Sequence, residues 1–129
     1  QSCEVQTTDY KLDNVYASPT DIKIGYKESE ISKICFDIKN NAKTTLLPQI
    51  EIILDKESKE CFSSLEIKKL SEIPPKGEKH TCVDLRLPYN THEDSYREKC
   101  QEKNFEIGVS LQDTTGVELD KGTATVGLI

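Results

Sequence analysis

The sequence of 129 residues contains no tryptophan, no methionine and only two histidines, and it lacks the short motifs that identify many enzymes. There is no G-x-S-x-G nucleophile turn, H-E-x-x-H zinc helix, phosphate-binding loop or dinucleotide-binding fingerprint. Two isolated histidines do not make a metal site, and no calcium loop of the D-x-D-x-D-G type occurs. The carboxylate pair Glu93/Asp94 lies in a charged segment, without the apolar surroundings typical of catalytic carboxylates. The sequence therefore predicts a non-enzymatic protein with no cofactor.

Long apolar runs and an excess of positive charge are also missing. No run approaches the roughly 20 apolar residues that cross a bilayer as a helix, so no transmembrane segment is predicted. The chain carries 17 basic and 23 acidic residues, a net charge of −6, with the two signs interspersed. Nucleic acids and anionic membranes both favour basic faces, and neither is expected as a partner. The length predicts a single domain over residues 1–129, or one piece of a larger chain.

The five cysteines include no C-x-x-C pair that would suggest zinc binding or thioredoxin-type redox chemistry. Disulfides are their simplest use, and disulfides persist in oxidising compartments. The Gln-Ser-Cys start suits a mature secreted protein, although no N-x-S/T glycosylation site supports secretion. The sequence predicts a secreted or lumenal protein, with a cytoplasmic location as the alternative.

Segments in which apolar and polar residues alternate follow one another along the chain, the period-2 pattern of half-buried β-strands. Polar turns such as KNNAKT, DKESKE and PPKGEK connect them. The apolar residues that share one face within each segment are Ile22 and Ile24; Ile34, Phe36 and Ile38; Ile50, Ile52 and Leu54; Leu65 and Ile67; Val83, Leu85 and Leu87; and Phe105, Ile107, Val109 and Leu111. This organisation predicts an all-β fold, an immunoglobulin-like antiparallel β-sandwich of about seven strands.

The last segments predict a hairpin. DTTG forms its turn, with Gly116 able to adopt the positive φ that a tight turn demands, and Val117 to Ile129 forms the closing strand. One stretch, Pro88 to Lys103, is long, charged and nearly free of aliphatic residues. It can carry a short helical turn, but we interpret it as a solvated loop, of the kind that often borders a binding site.

Four cysteines are candidates for two disulfides. Cys35 and Cys82 lie opposite the apolar faces of their strands, and they would meet if those strands are neighbours. Cys61 and Cys100 lie in connections, and a bridge between them would close a loop of about 40 residues, worth roughly 3–4 kcal/mol. Cys3 is then left over. A catalytic cysteine would need a nearby histidine, and neither histidine lies in a recognisable nucleophile motif.

The apolar faces are almost entirely aliphatic, which leaves two interpretations of the space between the sheets. Such sheets can close into an ordinary core, or they can separate and hold a lipid chain. An empty cavity costs roughly 24 cal/mol per Å3, whereas an acyl chain filling it recovers about 0.8 kcal/mol per buried CH2. Composition alone leaves both open.

Three stretches carry a resemblance to a known family. The opening SCEV, followed by YKLDNVYASPTDIKIGYKESEISKICFDI, has an early cysteine, a V-x-x-x-P turn and a glycine-containing link into the sheet. SEIPPKGEKHTCVDLRLP enters a strand through P-x-x-x-G, and FEIGVSLQDTTGVELDKGTATVGLI is a strand, a D-x-x-G turn and a last strand. Together they resemble the ML family of lipid-recognition proteins, which includes the group 2 mite allergens, the Niemann–Pick lysosomal cholesterol carrier and the ganglioside activator.

This resemblance implies a lipid or other apolar small molecule held between the sheets, with specificity set at the rim. The candidate wall positions are Phe36, Ile52, Leu85, Phe105 and Ile107. Lys68, Lys69 and Lys79 are candidate rim contacts for an anionic headgroup. We expect Phe105→Asp to abolish ligand uptake.

Two further resemblances imply a protein partner instead. SKICFDIKNNAKTTLLPQIEIIL followed by GEKHTCVDLRLP is similar to the carboxyl half of an arrestin-type domain, a cytosolic scaffold. With Cys35 and Cys82 as a cross-strand bridge, the same stretch resembles the immunoglobulin-like leg modules of integrin α chains. Both imply a protein-protein interaction or spacer module with a dry core.

Overall fold

The computed structural model describes residues 9–24, 31–63 and 67–129. Within these ranges the chain forms eight strands and two short helices. In chain order they are β1 (Tyr10–Ser18), β2 (Asp21–Ile22), β3 (Ile31–Asn40), β4 (Gln49–Ile53), α1 (Lys56–Cys61), β5 (Lys68–Lys69), β6 (Glu78–Arg86), α2 (Asp94–Cys100), β7 (Lys103–Gln112) and β8 (Glu118–Leu128). No helix in the described ranges is long and apolar enough to span a membrane.

The strands form two sheets. One has the order β1-β3-β6 and the other β2-β8-β7-β4-β5. Neighbouring strands are antiparallel, except that the two-residue strand β2 runs parallel to β8. The predicted all-β, immunoglobulin-like sandwich is confirmed. Eight strands are present where about seven were expected, and two of them, β2 and β5, are two-residue pieces at the edges of the larger sheet.

The core lies between the sheets, and strand alternation supplies it. On β3, Ile34, Phe36 and Ile38 are completely buried, and β7 contributes Ile107 and Leu111 from the other sheet. Because successive side chains of a strand point to opposite faces, the apolar residues of each long strand reach the core together. The closing hairpin also forms as predicted, and Gly116 has a φ of 86° at its turn.

Both predicted disulfides are present. Cys35 and Cys82 are direct partners in the β3–β6 ladder, with their Cα atoms 4.0 Å apart. Cys61 and Cys100 join the end of α1 to the end of α2. Cys3 lies outside the described residues, as does Leu65, which was expected in a strand.

The solvated-loop interpretation of Pro88 to Lys103 is wrong for residues 94–100, which form α2. Most of DKESKE, expected to be a turn, forms α1, where the Asp55 carboxylate caps the helix by accepting from the Ser58 amide at 2.8 Å. In α2, Tyr96 and Cys100 are four residues apart and therefore share a buried face. The Tyr96 hydroxyl donates to the Cys61 carbonyl at 2.6 Å. We call these two linked helices the helical cap.

Candidate functional site

The five candidate wall residues are brought together, and they form part of one continuous core cluster drawn from both sheets. Phe36, Leu85 and Ile107 have no exposed surface, Phe105 is 5% exposed and Ile52 is 9% exposed. Phe105 packs edge-to-face on Phe62, with ring centroids 5.3 Å apart. These contacts give Phe105 a packing partner next to the helical cap.

The three candidate rim lysines lie along one side of the sandwich. Lys68 and Lys69 make up β5, the exposed edge strand beside β4. Lys79 lies on β6 and is half-buried, and its ammonium donates to the Ser71 hydroxyl. That contact connects the β6 side of one sheet to the segment after β5 in the other.

A groove of about 620 Å3, open to solvent, lies on the outer face of the larger sheet. We call it the outer trough. Its floor follows β7, where Gly108 and Ser110 present little or no side chain. Gly108 is flanked by Ile53 on β4 and Thr123 on β8, whereas Ser110 lies next to Lys121. The trough is lined by Ile53, Gly108, Val109, Ser110, Glu118, Lys121, Gly122 and Thr123.

Strand β4 runs so close to Gly108 that a side chain at this position would meet Ile53, and the glycine leaves the floor of the trough uncovered. A Cβ atom at Gly108 would lie 3.1 Å from the Ile53 Cβ and 3.3 Å from the Ile53 carbonyl oxygen, closer than side chains normally pack. The Ile53 side chain is 47% exposed and forms an apolar wall. An apolar group of a ligand could therefore rest on Gly108 with Ile53 beside it.

A hydrogen-bond network fixes the polar end of the trough. The Gln49 amide donates to Gln112 at 2.9 Å, and the Gln112 amide donates to Glu51 at 2.8 Å and to Ser110 at 3.1 Å. The Ser110 hydroxyl in turn donates to Glu118 at 2.9 Å. Because the chain of donors spans β4, β7 and β8, it holds the polar end of the trough in one arrangement.

The outer face of the smaller sheet carries a different cluster. The Asp37 carboxylate accepts from the Asn14 amide at 2.8 Å and pairs with His80 Nδ1 at 2.6 Å. These hydrogen bonds hold the pKa of Asp37 below its ordinary value, and the one from Asn14 has the larger effect. Tyr16 stacks on His80 with centroids 6.4 Å apart. The adjacent Cys35 sulfur is in a disulfide, so this cysteine offers no thiol nucleophile to the His–Asp pair.

Metal ligation has no support within residues 9–24, 31–63 and 67–129, where no group of three or more His, Cys, Asp or Glu side chains is placed to hold an ion.

Sequence reasoning missed the outer trough. The alternation placed Gly108, Ser110 and Gln112 on the polar face of β7 but gave that face no role. The small size of Gly108 and Ser110 was the available signal. Which residues flank Gly108 and Ser110 can be assigned only when the register of β7 with β4 and β8 is known.

No protein-family model matches this chain, and no curated protein sequence matches it. Several solved structures share its fold. A CARDB domain from Pyrococcus furiosus, in complex with di-metal ions, is 15% identical with a TM-score of 0.51, covering 98% of this chain and 94% of that one. A FixG-related protein from Vibrio parahaemolyticus is 8% identical with a TM-score of 0.54, covering 94% and 95%.

The alkylpurine DNA glycosylase AlkC of Pseudomonas fluorescens, bound to DNA containing an abasic site analog, is 15% identical with a TM-score of 0.53. The match covers 94% of this chain but only 30% of the glycosylase chain. At such identities these likenesses show the fold alone, which is an immunoglobulin-like sandwich used in proteins of different activities.

Proposed function

We propose that this chain is a non-enzymatic interaction module of an oxidising compartment, secreted or lumenal, that binds a protein partner through the outer trough. The observation that carries the proposal is the position of the trough. It lies on an outward face, whereas the candidate wall residues for a lipid pocket are at most 9% exposed and belong to the core cluster.

The lining of the trough favours a peptide or protein surface with one apolar anchor. Protein interfaces draw most of their binding energy from a few apolar or aromatic side chains seated in small depressions, surrounded by polar contacts. Here Gly108 and Ile53 supply the depression, and Glu118 and Lys121 supply polar groups at its side. We infer that an apolar side chain of the partner rests over Gly108 while its flanking residues contact Lys121 and Glu118.

Two features support the remaining parts of the proposal. The two disulfides suit an oxidising environment. The His80–Asp37 pair has a cross-strand packing role, because Asn14 and Tyr16 also contact it, and we assign it no catalytic function.

A matched pair of substitutions tests the site. Thr123 and Thr125 are both exposed residues of β8 on the same face, two residues apart, but only Thr123 lines the trough. Peptides selected from a displayed random library against the folded domain should bind the wild type. They should lose binding to Thr123→Arg and keep it on Thr125→Arg. Selected peptides that bind both variants equally would contradict the trough as the site.

A second measurement distinguishes the interaction module from a lipid carrier, the function that the ML resemblance implies. Native mass spectrometry of the purified protein should give the mass of the bare chain, and the denatured mass should show two bridges. Extra mass that disappears on denaturation in organic solvent would overturn the interaction-module proposal in favour of a carrier. Phe105→Asp would then be expected to abolish the adduct.

A further inference from the structure

Strand β6 is a long, regular edge. It pairs with β3 from Glu78 to Arg86 without a register shift, and the smaller sheet ends there. On its other side, the described residues contribute one backbone hydrogen bond, from the Ser63 amide to the Arg86 carbonyl at 2.9 Å. A long edge of this kind is a template for pairing with another strand.

The other edges differ from β6. The larger sheet ends on the two-residue strands β2 and β5. The remaining edge strand, β1, has an irregularity between Asp13 and Tyr16, and its Leu12 amide donates to the Asp120 carboxylate of β8 at 2.7 Å. Among the described edges, β6 is therefore the one suited to strand addition.

The backbone groups that face the open side can be assigned from the ladder. Antiparallel residue pairs alternate between hydrogen-bonded pairs and closer, non-hydrogen-bonded pairs. The 4.0 Å Cα separation of Cys35 and Cys82 identifies a non-hydrogen-bonded pair. The amide and carbonyl of Cys82 thus point away from β3, and by alternation so do those of His80 and Asp84. The Ser63 amide already donates to the Arg86 carbonyl on this side, which agrees with the assignment. Among the described residues, the backbone groups open to a second strand therefore run up to Asp84, and Arg86 can meet a second copy only through its side chain.

The sequence of β6 is complementary to itself in charge. If a second copy pairs antiparallel about a two-fold axis at Cys82, the Glu78 side chain faces the Arg86 side chain of the second copy. His80, which carries a charge only when protonated, faces Asp84 of the second copy. The symmetry produces each of these pairs twice. Directly opposite side chains of unlike charge stabilise antiparallel strands, and like charges destabilise them.

Other registers lose this match. Moving the two-fold axis by one residue, to Thr81 or to Val83, sets Glu78 against Asp84 or His80 against Arg86. Centring the axis on Asp84 sets that carboxylate against its own copy, and centring it on His80 leaves Glu78 facing Cys82. Charge complementarity therefore selects the register centred on Cys82.

The side chains that would pair are accessible. The side chains of His80, Asp84 and Arg86 are 55%, 44% and 54% exposed. Within one chain the Arg86 guanidinium lies 3.4 Å from the Asp84 carboxylate. An ion pair this exposed contributes little to the stability of the fold.

We propose that β6 joins two copies of this chain into a symmetric dimer, with one continuous sheet that takes three strands from each copy. The interface is isologous, as in most homodimers. It lies on the smaller sheet and leaves the outer trough of the larger sheet open, so the inference stands independently of the proposed function.

Charge reversal tests the interface with a built-in control. Sedimentation velocity at low salt, over a range of protein concentrations, should show a reversible monomer–dimer equilibrium for the full chain. All samples carry Cys3→Ser, so that an intermolecular disulfide through Cys3 cannot contribute. Glu78→Arg alone and Arg86→Glu alone each turn two attractions into two repulsions, and each should weaken dimerisation roughly tenfold or more.

Restoring complementarity should restore the dimer. The double variant Glu78→Arg/Arg86→Glu should dimerise like the wild type, and an equimolar mixture of the two single variants should form a mixed dimer. Asp84→Pro removes an amide that faces the open edge without disturbing the β3 ladder, and it should give a monomer. A wild-type chain that stays monomeric, or a dimer that none of these substitutions weakens, would overturn the proposal.

Discussion

Replacing Cys61 and Cys100 together by alanine removes the covalent link within the helical cap, and its cost can be estimated from the chain that the link closes. The two residues are 39 positions apart, and the chain-entropy model gives about 4 kcal/mol for a loop of that length. This is an upper value, because the overlapping Cys35–Cys82 bridge still restricts the unfolded chain. Cys61 is 2% exposed and Cys100 is fully buried, so the lost sulfur atoms add about 1 kcal/mol of packing.

Urea unfolding followed by far-ultraviolet circular dichroism measures this loss. We expect the free energy of unfolding to fall by about 3–5 kcal/mol. We also expect the denaturant dependence, m, to rise, since an unfolded chain with one fewer cross-link exposes more surface. The fold should survive, because the β-ladders do not pass through the helical cap.

The other disulfide provides the control. Cys35 and Cys82 are 47 positions apart, so the same model gives nearly the same cost, about 4 kcal/mol, for Cys35→Ala/Cys82→Ala. If either pair costs less than about 1 kcal/mol with m unchanged, the entropic reasoning is refuted. If the two pairs differ by several kcal/mol, local packing rather than loop closure decides their contributions.

Three further predictions concern single residues. Phe36→Ala should lower the free energy of unfolding by about 3–5 kcal/mol in the same urea assay, because it leaves a cavity in the centre of the core. Burial raises the pKa of Tyr96 to about 12 from its ordinary 10.0. The unfolded chain therefore loses this proton first, and stability should fall between pH 10 and 12 by roughly 2–3 kcal/mol. Tyr96→Phe should lack that part of the decline. Gly116→Ala should cost about 1 kcal/mol, because alanine is strained at a φ of 86°.

Each of these has an outcome that would contradict it. A loss below about 1 kcal/mol for Phe36→Ala would mean that the core is loosely filled at β3. Equal alkaline declines in the wild type and Tyr96→Phe would show that another group titrates. Gly116→Asn should cost less than Gly116→Ala, since asparagine tolerates positive φ, and the reverse order would point to a contact rather than to backbone strain.

The strands and the disulfides were predictable for local reasons. Alternation in segments such as Ile34, Phe36 and Ile38 fixes which side chains share a face, whatever the rest of the chain does. The same alternation put Cys35 and Cys82 on the outward faces of their strands, so pairing followed once β3 and β6 were neighbours. Cys61 and Cys100, which lie in connections, were the candidates for the second bridge, with Cys3 left over.

The helical cap was missed because its helices are too short to show a periodic apolar pattern. The Cys61–Cys100 link, the Tyr96 hydrogen bond and the packing of Phe62, the residue after α1, on Phe105 give them a buried side. These contacts join residues far apart in sequence, and the charged residues between them favoured the interpretation as a loop.

The sequence by itself determined the fold class and the faces that form the core, because strand period acts over a few residues. It offered four cysteines as candidates for two disulfides, and the tertiary structure decided that they pair as Cys35–Cys82 and Cys61–Cys100. Tertiary structure alone decided where the proposed partner site lies. Gly108 is a trough floor only because the register of β7 places it between Ile53 and Thr123. The symmetric arrangement of charges along β6 can be seen in the sequence, but it can favour pairing with a second copy only because β6 is an edge strand of its sheet.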